Sequence, residues 1–171
     1  MGQCLGVILG RMPIQSQSDF QAFCVPLVGL PVSCVWQGCG SAIFLEFGTV
    51  QPRTRRDGSP GNPRGQWTLM IEWSWRIEGK RLIWCGSWSD GQRWPRAFSR
   101  LVGNKVASVS LVGRIPEIDV GLSNGVHVVS AMTAEGDPEW GLINREANLA
   151  VGVQSGRLIV QPAVKYPKVD A

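Results

Sequence analysis

Two stretches of this chain concentrate guanidinium groups. Arg53, Arg55, Arg56 and Arg64 share one Pro- and Gly-rich segment, and Arg93, Arg96 and Arg100 follow at three- and four-residue spacing. On a helix the last three fall on one face, away from Phe98 and Leu101. Gly91 to Pro116 also holds Lys105 and Arg114 and no acid, whereas Glu117 to Glu146 holds six acids against Arg145 alone. Such clusters can receive phosphate groups or an acidic protein surface. Trp88 and Trp94 lie beside them, and an indole can stack on a base or anchor a protein interface. The plainer reading is a solvated helix face and a charged loop.

Chemistry that turns over a substrate has less support. His127 stands between Val126 and Val128, on the opposite side of a strand from both, with no nucleophile beside it. Glu46 and Glu72 each interrupt an apolar run and could pair across strands, yet simple alternation makes them outward positions. Cys34 and Cys39 are the nearest approach to paired thiolate ligands, and with His127 the only histidine a zinc set is absent. No phosphate-cradling Gly loop or nucleophile elbow occurs. The sequence therefore predicts no catalytic residue, no metal and no cofactor.

These residues need a packed body to hold them. At 44% hydrophobic and 18% charged, with eight Trp in 171 residues, the chain reads as a folded globular protein of net charge +4. Five cysteines without regular spacing argue against a disulfide framework and for a reducing compartment. Met1 to Gly10 lacks the parts of a signal peptide, Gly2 and Gly6 do not make a myristoylation signal, and no apolar run reaches membrane-spanning length. A cytoplasmic protein without membrane contact is the expectation.

The middle of the chain is self-similar. Leu27-Val28-Gly29 with Val32 and Val35 returns as Leu101-Val102-Gly103 with Val106 and Val109. Further matches align Trp67 with Trp140 and Gly79-Lys80 with Gly156-Arg157, at offsets near 74 residues. This predicts an α+β, β-rich protein of two tandem copies, each a short helix plus an antiparallel meander, related by an approximate twofold. The copies would span 19–89 and 90–163, between an N-terminal arm (1–18) and a C-terminal tail (164–171), in one body.

Local signals fill in each copy. Ser18 or Asp19 can cap a helix that Pro26 stops, and a second helix should begin near Trp94, which leaves Pro95 in its first turn. From Trp67 to Ile77 every odd residue is apolar, which predicts one eleven-residue strand. A tight turn at Gly79-Lys80 would then set Trp75 opposite Trp84 and Trp73 opposite Gly86. Asn124-Gly125 and Ser155-Gly156 predict hairpins, the latter pairing Val153 with Leu158 and Val151 with Val160. Extra residues around Asn144-Arg145-Glu146 mark a bulge or added turn. The segment Pro52 to Gly65 is read as one long irregular loop. Whether the apolar faces form one sheet or two is left open.

Gly40-Ser-Ala-Ile-Phe-Leu-Glu-Phe-Gly48, Trp67 to Ile77, Arg53 to Pro63 and Ser130 to Gly136 resemble a family of small bacterial proteins that carries no assigned activity. The likeness covers about 27–161 and implies a standalone bacterial cytosolic protein. It transfers no site residue.

The functional expectation is a non-catalytic protein that binds another protein, such as an immunity-like protein or a subunit of a defence-type complex. The alternative is a nucleic-acid-binding accessory protein that uses the basic loop and helix. An unrecognised enzyme is the second alternative.

Overall fold

The computed structural model describes Ile14 and residues 16–163. The tail expected over 164–171, and most of the arm expected over 1–18, lie outside the described residues.

Helix α1 (Gln17–Cys24) starts at Ser16, whose hydroxyl accepts the Asp19 N–H while the Asp19 carboxylate accepts the Ser16 N–H. That reciprocal pair satisfies two donors at the helix start. The cap thus lies two residues before Ser18, and Asp19 is its partner. A 3-10 turn at Val25–Leu27 follows, and Gly29 takes the expected left-handed conformation (φ +91°). Helix α2 (Trp94–Ser99) begins where Pro95 predicts, behind a 3-10 turn capped by Asp90.

The strands are β1 (Val32–Gln37), β2 (Ile43–Phe47), β3 (Gln51–Thr54), β4 (Pro60–Arg64), β5 (Trp67–Ile71), β6 (Trp75–Glu78) and β7 (Ile83–Gly86). After α2 come β8 (Val106–Val112), β9 (Glu117–Leu122), β10 (His127–Ser130), β11 (Trp140–Asn144), β12 (Leu149–Gln154) and β13 (Arg157–Pro162). All pair antiparallel. The protein is β-rich with two short helices, as the sequence predicts.

Two main sheets form, ordered β1-β2-β5-β11-β12-β13 and β7-β6-β10-β9-β8, with β3-β4 as a separate ribbon. Both sheets take strands from both halves of the chain. Leu45, Leu69, Leu142 and Val151 of the first sheet share one core with Ile77, Ile118, Val120 and Val128 of the second. Two segments join the halves reciprocally. Gly29 N–H donates to Val106 O and Gly103 N–H to Val32 O, both at 2.8 Å; Val106 N–H donates to Leu30 O and Val32 N–H to Asn104 O.

Three expectations need correction. The predicted strand Trp67–Ile77 is two strands, because the chain leaves the first sheet at Ile71 and enters the second at Trp75. Trp73 sits at that corner, half exposed, although its parity matches the buried set. The next hairpin has a longer loop and a different register: Ile77 opposes Cys85 and Arg76 opposes Gly86. Leu82 and Ile83 stay exposed; the tight turn would have set Leu82 against Ile77, the place that Cys85 takes. The supposed loop from Pro52 to Gly65 is the β3–β4 ribbon. A two-stranded ribbon leaves each strand one unpaired edge, where proline's missing N–H costs nothing.

The downstream match of Trp67 to Trp140 also differs from the contacts. Trp75 and Trp140 occupy like settings: each indole N–H donates to a backbone carbonyl just ahead of a second strand, Ser41 O and Pro116 O respectively. Each also meets a helix phenylalanine, Phe98 of α2 and Phe20 of α1. Asn124-Gly125 and Ser155-Gly156 both lie in hairpin turns, the latter with the predicted register, and the extra residues after Asn144 form a turn.

Candidate functional site

Strand β1 is the terminal strand of the first sheet, and α2 lies alongside its free edge. Between them runs a groove of about 490 Å³ lined by Ser33, Cys34, Val35, Trp36 and Gln37 on one side and Trp94, Pro95, Phe98 and Val102 on the other. One end is closed where Val32 pairs with Gly103 and Asn104. Trp94 and Phe98 are fixed from behind by Trp75, which meets both rings. The Trp94 indole N–H is spent on Gly86 O at 3.1 Å. Val102 is exposed at the groove wall. Burial, then the nearby Glu46 carboxylate, pushes the Cys34 thiol above its ordinary range.

The predicted basic residues fall into groups with different neighbours. Arg93, Arg96 and Arg100 are exposed on or beside α2, and Arg100 lies 5.3 Å from the Trp84 ring centroid. Arg53, Arg55, Arg56 and Arg64 are exposed on the ribbon and its turn. There Asp57 accepts from both the backbone and hydroxyl of Ser59, which holds its carboxyl below the usual range. Trp88 is 77% exposed and free to stack, whereas Trp94 is 7% exposed and packed into the core behind the groove wall, so its ring is not open to stack on a base.

Glu46 faces outward from its sheet, as alternation suggests, yet it does not meet solvent. It is 1% exposed. Its Oε2 accepts the Gly65 N–H at 2.8 Å and the Thr68 hydroxyl at 2.6 Å, and its Oε1 accepts the Trp36 indole at 3.3 Å. Thr68 in turn accepts from Arg145 Nη2 at 2.9 Å. Arg145 is half-buried, and its Nε is the one buried side-chain polar atom without a partner among the described residues. Burial lowers the Arg145 pKa; the Glu46 charge opposes that, and Arg64 and Arg53 add to it. Arg145 and Thr68 escaped the sequence reading. The only signal was the inserted turn at Asn144-Arg145-Glu146.

The remaining titratable groups are placed as follows. Glu72 is exposed, and its carboxylate neighbour is Glu139 rather than Glu46; burial first and then Glu72 raise the Glu139 pKa. Both line a cleft of about 430 Å³ with Asp137, whose carboxylate accepts the Ser155 and Gly156 N–H groups of a hairpin turn. His127 is half exposed, with Nδ1 2.8 Å from Asp119 Oδ1. No group of three potential metal ligands occurs among the described residues. Cys24, Cys34, Cys39 and Cys85 are free thiols. No helix among the described residues is long and apolar enough to cross a membrane.

No family model, curated protein or solved structure matches the chain.

Proposed function

We propose that this is a non-catalytic protein-binding protein, and that an extended segment of its partner adds to β1 in the groove beside α2. The observation that carries the reading is an open sheet edge set against an apolar helix face. An edge strand presents unpaired N–H and C=O groups. A strand laid on them gains main-chain hydrogen bonds, and the Trp94, Phe98 and Val102 wall selects its alternate side chains. The preferred ligand is thus an extended peptide, apolar at every second position. Such an interface would serve an immunity-type protein or a subunit of a defence-type complex, acting in the cytoplasm where free thiols persist.

Selection from a random linear-peptide library tests this directly. Captured peptides should alternate apolar and polar, and Val102→Glu should weaken them at least tenfold while Val112→Glu does not. Peptides indifferent to Val102→Glu would sink the reading. Trp88, exposed and five residues ahead of exposed Arg93, favours a second reading, nucleic-acid binding by both basic groups. Its mark is affinity that falls steeply with salt.

We propose further that the halves are copies related by a twofold, with their last strands exchanged between sheets. The reciprocal bonds of 29–32 with 103–106 support this, as do the like settings of Trp75 and Trp140. On this reading β1, β2, β5, β6 and β7 correspond to β8, β9, β10, β11 and β12.

A further inference from the structure

The base of the β3–β4 ribbon holds more positive charge than the protein answers. Arg64 ends β4, Gly65 donates to Glu46, the Gln66 carbonyl accepts the Arg145 N–H at 3.0 Å, and Thr68 binds Arg145 Nη2. Three contacts within four residues therefore bring the ribbon end, the buried carboxylate and Arg145 to one place. Gly65 cannot drift from it: a Cβ there would lie 2.5 Å from Phe47 O and 2.7 Å from Phe47 N.

Glu46 is the carboxylate at this spot, and it does not form an ion pair with Arg145. Its oxygens are taken up by Gly65, Thr68 and Trp36, and the Thr68 hydroxyl stands between it and the guanidinium. Arg53 and Arg64 make no side-chain hydrogen bond or ion pair among the described residues. Glu146, next in sequence to Arg145, is engaged by Gln66 at 2.7 Å. Arg53 and Arg64 add to the positive field at Arg145, whose buried Nε has no hydrogen-bond partner among the described residues, an unmet donor beside exposed cations that a bound anion would answer.

We propose that Arg145, Arg64 and Arg53 form a receptor for a single phosphate group. Guanidinium forks match phosphate oxygens in geometry and charge, and a doubly charged anion offsets mutual repulsion better than chloride or a carboxylate. Arg145 supplies a fixed donor, because Thr68 and, behind it, Glu46 set its orientation; Glu46 is a positioning residue here. Arg64 and Arg53 close over the anion from the exposed ribbon. The site shares no lining residue with the β1–α2 groove, which it meets through the Trp36–Glu46 hydrogen bond.

The test is thermal melting of the full chain with inorganic phosphate or sodium chloride at matched ionic strength, and with a short single-stranded oligonucleotide as a third arm. Phosphate should raise the melting temperature in a saturable way, and the chloride series should not. The double variant Arg53→Ala/Arg64→Ala, changed at exposed positions, should fold normally and lose at least tenfold in phosphate affinity. Arg145→Lys should lose as much where it folds. Peptide capture by the groove should survive in the double variant, which keeps failure of this site distinct from failure of the binding reading. Equal responses to phosphate and chloride, stabilisation by the oligonucleotide alone, or an unchanged double variant would each overturn the proposal.

Discussion

The two sheets are alike on the inside and unlike on the outside. Inward, both present branched aliphatics: Leu45, Leu69, Leu142 and Val151 in the first, Val109, Val120, Val128 and Ile77 in the second. Outward, the second sheet carries Ser110, Asp119, Val129 and Arg76 in one row and Ser108, Gly121, His127 and Glu78 in the next. Its charges pair with each other at the surface, His127 with Asp119 and Arg76 with Glu78. The first sheet instead carries Cys34, Glu46, Thr68, Ile143 and Ala150 in one outward row and Trp36, Phe44, Met70, Gly141 and Gly152 in the other. Ile143 and Ala150 are buried there, outside the main core, as Val129 is on the second sheet, but only the first sheet sets a fully buried carboxylate in such a row. Polar groups on a wet face can lean on water; on a dry one each needs a donor or acceptor from the protein. That is why Glu46 collects three donors while Asp119 makes do with a histidine.

The largest expected effect comes from removing each acid in turn. Glu46→Ala strands the Gly65 N–H, the Thr68 hydroxyl and the Arg145 charge in a dry setting, and should cost roughly 3–5 kcal/mol. Asp119→Ala breaks a partly exposed pair whose imidazole can turn to water, and should cost less than about 1 kcal/mol. Urea midpoints of the two variants decide the matter. Equal losses would break the contrast between the faces.

That contrast explains what could be read from the sequence. The turns at Asn124-Gly125 and Ser155-Gly156 are legible because a short hairpin is settled by its own residues and their neighbours. The run Trp67–Ile77 is not, because a period of two looks the same whether a strand continues or crosses to another sheet. Trp73 shows the difference only in space. Glu46 was read as outward from its parity, and outward it is. Its burial depends on Trp36, Gly65, Thr68 and Arg145, which no local pattern joins. The ribbon was missed because Pro52, Pro60 and Pro63 exclude a central strand but not a two-stranded one. Of the candidate site, the arginines of the ribbon and α2 stand out in the sequence by their spacing, and all are exposed. The groove and Arg145 came only with the fold.

A smaller effect tests how tightly the dry face is anchored. In Gly65→Ala the new Cβ meets backbone of Phe47 and Trp67 (2.9 Å to Trp67 O), which no side chain can relieve. The strands must part, and overpacking of this kind costs roughly 1–3 kcal/mol. Gly91→Ala, with open space around the added methyl and no left-handed backbone, should be neutral or slightly stabilising. A Gly65→Ala variant as stable as Gly91→Ala would show that the ribbon base can shift.

The smallest effect sets the dryness of the first sheet's outer face against that of the core, through two thiols. Cys24 of α1 is 2% exposed, and burial raises its pKa from 9.0 to about 12. Above pH 9 the unfolded chain gives up this proton while the folded chain keeps it. The folded state then binds more protons, so stability falls as pH rises, through the window from about 9 to about 12. One unit above the unfolded pKa the loss is about 1.4 kcal/mol. Cys34 is shifted in the same direction by partial burial and by Glu46, so its contribution has the same sign and a smaller size. Urea midpoints at pH 8 and pH 10 separate the two. Cys24→Ala lowers stability at both pH values by leaving a cavity, but it should flatten the alkaline slope, and Cys34→Ala should flatten it less. Should both flatten it equally, the face around Cys34 is as dry as the core. The contrast would then lie between the two sheets and not between the inside and the outside of the first.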